Sequence, residues 1–185
     1  PLTLLAAGLL TALVGLALGI PCLRLDGLYL AMATLAFGFV VVEAITNLDP
    51  LTHGNDGLRV PLARLGPWLL DTDRARYYLA FAVAAAMILA ALNLASTRTG
   101  RAFLAIRGSE IAAQASGINA AAFKTVAFVL SAFYTGVAGG LFAFVVGFLS
   151  PDAFDVFLSV DFLVMIILGG LGSVWGSVAG AAVHT

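Results

Sequence analysis

The sequence predicts an all-α fold, a polytopic transmembrane helix bundle with about five spans. The chain is 62% hydrophobic and only 10% charged, whereas soluble domains carry about a quarter charged residues. Its mean hydropathy is +1.07. Five stretches approach the roughly 20 apolar residues that a helix needs to cross the hydrocarbon core. A closed barrel would need polar and apolar residues to alternate, and runs such as Ala82 to Leu89 do not.

The first span is Thr3–Ile20, with no basic region before it and no small-residue cleavage site after it, so it is not a signal peptide. The short loop Pro21 to Asp26 carries Arg24 and makes the first two spans an antiparallel pair. Gly27–Asn47 is the second span. The loop of residues 48–76 follows, with Pro50, Pro61 and Pro67 and several glycines; it is too polar to cross and too turn-rich for one helix. Tyr77–Ala95 is the third span, and residues 96–124 form a polar island with a helical pattern inside it. Thr125–Leu149 is the fourth, a loop with Asp152 and Asp155 comes next, and Ser159–Val183 is the fifth. The whole of residues 1–185 reads as one transmembrane domain. Because it opens at Pro1 and stops just after an apolar segment, it is expected to be part of a longer chain with more helices at both ends.

Five spans put the island and the 48–76 loop on opposite sides. Each holds four Lys and Arg, and Arg24 tips the balance toward a cytoplasmic island and an external 48–76 loop.

Composition also excludes functions. A net charge of −1 leaves no basic field for nucleic acid. The single cysteine, Cys22, permits no intrachain disulfide and reads as a small apolar filler. His53 has no second histidine near it, since His184 is at the far end, so no metal site is expected. No cofactor site is expected, and the turn Gly54-Asn55-Asp56-Gly57 lacks the lysine of a phosphate loop.

Inside the island, Ser109 is a helix N-cap, Glu110 places negative charge in the first turn, and Gly117 supplies the left-handed residue that stops the helix. This predicts a short helix of about two turns. Ala112, Ala113 and Ala115 keep it slim, so that another surface can approach its backbone. Upstream, Arg101 and Arg107 flank Phe103, Leu104 and Ile106, a pattern suited to the bilayer surface. By composition alone the island is either a docking element or an amphipathic linker held by its charges.

Two acids lie within spans. Glu43 would cost about 2.5 to 3.5 kcal/mol facing lipid at the bilayer centre, so it either lines a solute path or reaches interfacial water near its helix end. Asp161 is closer to a helix start, where an acid complements the dipole. Gly172, Gly176 and Gly180 recur every four residues, and Gly136 and Gly140 repeat the spacing in the preceding span; both sets predict helices packed at backbone distance, against each other or against a second subunit. Three functions follow: a transport subunit driven by another chain, an ion-coupled secondary transporter using Glu43 or Asp161, or an intramembrane hydrolase. The last is weakest, because Ser131 and Ser159 have no histidine in their helices.

The run Glu110-Ile111-Ala112-Ala113-Gln114-Ala115-Ser116-Gly117 resembles the EAA loop of ABC importer permeases, in the variant found in the LivH/LivM family of branched-chain amino acid permeases. Leu28 to Ala31 with Thr34 to Gly38, Leu51 to Leu58, and Leu168 to Ser173 with Gly176 and Gly180 are similar to further stretches of that family, particularly its LivM branch. The family pattern often has a glutamate after the Phe-Gly pair; here Phe39 stands there and the acid is Glu43, one turn later. His53 replaces a common glycine.

The resemblance implies a permease subunit in the bacterial plasma (inner) membrane, importing branched-chain amino acids or related small polar solutes and performing no chemistry itself. Its implied partners are ATP-binding subunits, a second permease subunit, an extracytoplasmic substrate-binding protein and membrane lipid. It assigns ATPase coupling to Arg107, Ser109, Glu110, Ala112, Ala113 and Gly117, and the substrate path to Glu43, Thr52, Gly54 and Gly57.

Overall fold

A computed structural model describes residues 2–22, 28–47, 57–60, 64–65, 68–69, 72–150, 153–154 and 156–184. Among these there are eight helices: α1 (Leu2–Cys22), α2 (Leu28–Asn47), α3 (Asp73–Ser96), α4 (Arg98–Gly108), α5 (Glu110–Ala115), α6 (Ala120–Val146), α7 (Val156–Gly169) and α8 (Val174–His184). Four two-residue strands accompany them: β1 (Leu58–Arg59), β2 (Arg64–Leu65), β3 (Trp68–Leu69) and β4 (Phe148–Leu149). Strand β1 pairs antiparallel with β4, and β2 with β3.

Helices α1, α2, α3 and α6 are each long and apolar enough to cross a membrane. The expected fifth span is not one continuous helix. It divides into α7 and α8, bent by 116° at their break. With 14 and 11 residues, the two halves reach about 21 and 17 Å at 1.5 Å per residue, and neither alone crosses a hydrocarbon core of about 30 Å. The break falls where Gly170 and Gly172 adopt φ of +99° and +90°, a region that side chains with a Cβ rarely enter.

The chain forms two compact units. One consists of Pro1–Ala31 with Val60–Gly147, the other of Met32–Arg59 with Phe148–Thr185.

In the first unit α1 and α6 run antiparallel along most of their lengths. Small residues set the spacing: Gly8 lies under Phe133 and Val137, Gly15 against Ala132 and Phe128, and Gly136 against Ala7 and Thr11. The Thr11 hydroxyl donates to the carbonyl oxygens of Ala7 and Gly8 at 2.9 and 3.0 Å, so this close contact leaves no hydroxyl proton unbonded. Close backbone approach replaces the hydrophobic effect as the source of helix association in lipid. Helix α3 joins through the Tyr134 hydroxyl, which donates to the Met87 carbonyl at 3.2 Å. Helix α6 begins where the Asn119 side chain accepts from the Ala122 N–H at 3.1 Å, and it stops at Gly147, φ +73°.

In the second unit, Gly176 and Gly180 of α8 lie directly on the backbone of α7 at Met165 and Gly169 and of the break at Gly170. The Ser173 hydroxyl accepts from the Gly176 N–H at 3.2 Å and starts α8. Most large apolar side chains of both units point outward, Tyr29, Phe81 and Phe157 among them, as suits a surface covered by lipid or other helices.

Candidate coupling site at the Glu110–Gly117 segment

The polar island is structured throughout. The Thr97 hydroxyl accepts from the Gly100 N–H at 3.4 Å and caps α4. Gly100 sits against the Ala95 carbonyl, where a side chain would collide, so α4 can fold back tightly at the end of α3. Phe103 then meets Phe123 of α6 edge to face, with ring centroids 6.0 Å apart.

Ser109 is the joint between α4 and α5. Its backbone is extended (φ −161°), its N–H closes α4 on the Ala105 carbonyl at 3.1 Å, and its hydroxyl accepts from the Ala112 N–H at 3.3 Å. Glu110 follows as the first residue of α5, where its charge complements the helix dipole. Its Oε1 accepts from the Gln114 amide at 3.4 Å, and its Oε2 lies 2.7 Å from the Lys124 Nζ. At the other end Gly117 has φ +84°, the Gly117 N–H bonds to the Gln114 carbonyl at 2.9 Å, and the Ile118 N–H reaches back to the Ala113 carbonyl at 3.0 Å. This is the left-handed stop that the sequence predicts.

The two faces of α5 differ sharply. Ala113 is 4% exposed, covered by its own chain, whereas Ile111 is 82% exposed on a polar segment. Ala112 and Ala115 are exposed as well, as are Arg107 and Ser109. Sequence reasoning took Ala112, Ala113 and Ala115 alike as small residues that keep the helix slim enough for another surface to approach its backbone. The structure divides them: Ala113 seats the helix, and Ile111, Ala112 and Ala115 face out. Burial of Ala113 depends on how α5 lies against its neighbours, which the helix's own sequence does not specify. Sequence reasoning also missed Lys124, because no spacing rule links it to Glu110.

The remaining candidates are dispersed. Glu43 lies on α2, where the Asn47 amide donates to its Oε1 at 2.8 Å and to its backbone carbonyl at 2.9 Å. With Phe39, Val40, Val42, Ala44 and Asn47 it lines a shallow, open groove. Gly57 has φ +70° and approaches the Leu149 carbonyl and the Phe148 ring, next to the β1–β4 pair. Thr52 and Gly54 lie outside the described residues, as does His53. Asp161 is exposed on α7. Of the packing glycines, Gly136 and Gly140 meet α1, and Gly176 and Gly180 meet α7. Gly172 differs from expectation, since it belongs to the turn before α8 and not to its glycine face. Among the described residues no three His, Cys, Asp or Glu side chains come together as metal ligands would.

Four described helices that are long and apolar enough to cross a membrane define a multi-pass membrane protein. Residues 1–184 match the family described as branched-chain amino acid transport system / permease component, and the chain belongs to that family. It is 36% identical over 193 residues to the high-affinity branched-chain amino acid transport system permease protein LivM of Escherichia coli (strain K12), and 36% identical to the protein of the same name from Salmonella typhimurium. Each match covers 90% of this chain and 45% of the relative, so the chain spans about half the length of the curated relatives it matches. No solved structure matches the chain significantly.

Proposed function

We propose that this chain forms part of the permease subunit of an ABC importer in the bacterial inner membrane, carrying branched-chain amino acids or related small polar solutes. The observation that carries the reading is the two-faced helix α5. An aliphatic side chain 82% exposed on a capped, charged segment is a knob for a pocket on another protein, since hot spots of this kind sit where water is excluded by a partner. Membership of the permease family supports the assignment of that partner as an ATP-binding subunit.

In this reading residues 96–124 face the cytoplasm and residues 48–76 the outside. A second permease subunit and an extracytoplasmic binding protein complete the importer. ATP binding draws the nucleotide subunits together, α5 is displaced, and the membrane helices change between two arrangements. The solute passes Glu43 and the segment from Thr52 to Gly57. ATP hydrolysis belongs to the partner, and this chain performs no chemistry of its own.

The test is reconstitution of the full-length permease with an ATP-binding subunit and a binding protein of a branched-chain amino acid importer. Uptake of leucine, isoleucine or valine into vesicles should require internal ATP and the binding protein. Uptake that persists without the ATPase and follows a proton or sodium gradient would instead establish the ion-coupled transporter, with Glu43 or Asp161 as its ion site.

A further inference from the structure

We propose that Lys124 is a positioning residue that makes the coupling helix α5 move as one body with the long helix α6; this rests on the ABC permease reading above.

The argument begins with how α5 is held. Its C-terminal end joins α6 through Ser116 to Asn119, a link that contains Gly117 at φ +84°. A six-residue helix held by its chain only between the extended joint Ser109 (φ −161°) and Gly117 could pivot at those two joints relative to α6 when a partner pushes on it. The Lys124–Glu110 contact of 2.7 Å ties the opposite end, which the chain joins to α4, directly to α6 as well. Lys124 stands on the second turn of α6, and Glu110 is the first residue of α5. Between the two attachments Ala113 and Ala120 are buried, at 4% and 2% exposure. Held at both ends, α5 transmits a push instead of swinging. The load passes along the 27 residues of α6 and into α1, which lies on α6 at backbone distance through Gly136.

Stability is not the purpose of this pair. The two side chains are 32% and 41% exposed, and ion pairs this open add little to folding. A contact that contributes little to folding yet ties the first residue of a short helix directly to α6 acts through position.

The experiment uses the full-length permease with its ATPase and binding protein in vesicles, in four forms: wild type, Lys124→Met, Glu110→Gln and the double variant, with Lys124→Arg as the conservative control. Permease yield, ATPase co-purification and substrate-stimulated ATP hydrolysis are read separately. Lys124→Met should keep its ATPase partner and lose stimulation by about fivefold or more, the size of a typical coupling between sites. The double variant should be no worse than the poorer single one, because both remove the same contact. Lys124→Arg should retain stimulation. Full stimulation in Lys124→Met would overturn the proposal, as would losses that add in the double variant. Release of the ATPase by Lys124→Met would also overturn it, because the pair would then shape the docking face and not transmit motion. A wild-type permease that binds no ATPase at all would remove the underlying reading, a result distinct from any of these.

Discussion

Gly136 of α6 lies so close to Thr11 of α1 that a Cβ on the glycine would fall on the threonine hydroxyl. The neighbouring contact is the Ala7 carbonyl at 2.9 Å, which is backbone and cannot turn aside. Gly136→Leu should therefore force the two helices apart, at a cost of about 1–3 kcal/mol or more for overpacking. The measurement is the yield and thermal stability of the full-length permease in detergent. Gly139→Ala, whose side chain meets nothing within 4 Å among the described residues, is the matched control. Equal stability of both variants would show that α1 does not pack here in the membrane.

The α7–α8 hairpin makes a second prediction. Gly176 rests on the Gly169 and Gly170 carbonyls, so Gly176→Leu should open the hairpin and lower the yield of assembled protein. Gly172→Val should fail for a different reason, backbone strain of about 1–3 kcal/mol at its positive φ. Gly38→Ala, in open space on α2, should be tolerated. If Gly176→Leu folds and assembles normally, the bent pair is not how these residues are arranged.

Docking and seating on α5 should separate by residue. Ile111→Asp should release the ATPase without lowering permease yield, because Ile111 is exposed in the permease alone. Ala113→Trp should instead unseat the helix and reduce the yield or protease resistance of the 96–124 segment, because Ala113 is buried. Co-purification and limited proteolysis distinguish them, and retention of the ATPase by Ile111→Asp would remove the proposed docking face.

The positive φ of Gly117 yields a narrower expectation. Gly117→Val should cost about 1–3 kcal/mol of local strain and loosen the stop at Ala113 to Ile118. Hydrogen exchange of the 110–118 amides should rise while that of the α6 interior stays unchanged. Identical exchange in the variant would show that the left-handed stop is not maintained.

Sidedness is tested by labelling. In a Cys22→Ser background, Ser109→Cys should react with an impermeant maleimide only after cells are opened, and Thr52→Cys in intact cells. The reverse pattern would invert the proposed orientation.

Hydropathy by itself located α1, α2, α3 and α6 to within a few residues at most ends, because the cost of placing charge in lipid marks span limits residue by residue. The caps of α5 were equally legible: Ser109 bonds to Ala112 and Gly117 to Gln114, and interactions within four residues are written in local order. The reversal between α7 and α8 was not, since a hydropathy profile counts apolar side chains and is blind to glycines that let the backbone turn. Nor could the sequence say that Ala113 faces inward, that Ile111 faces out or that Lys124 reaches Glu110. Those depend on where one helix lies against another, and only the tertiary packing around α5 decides that.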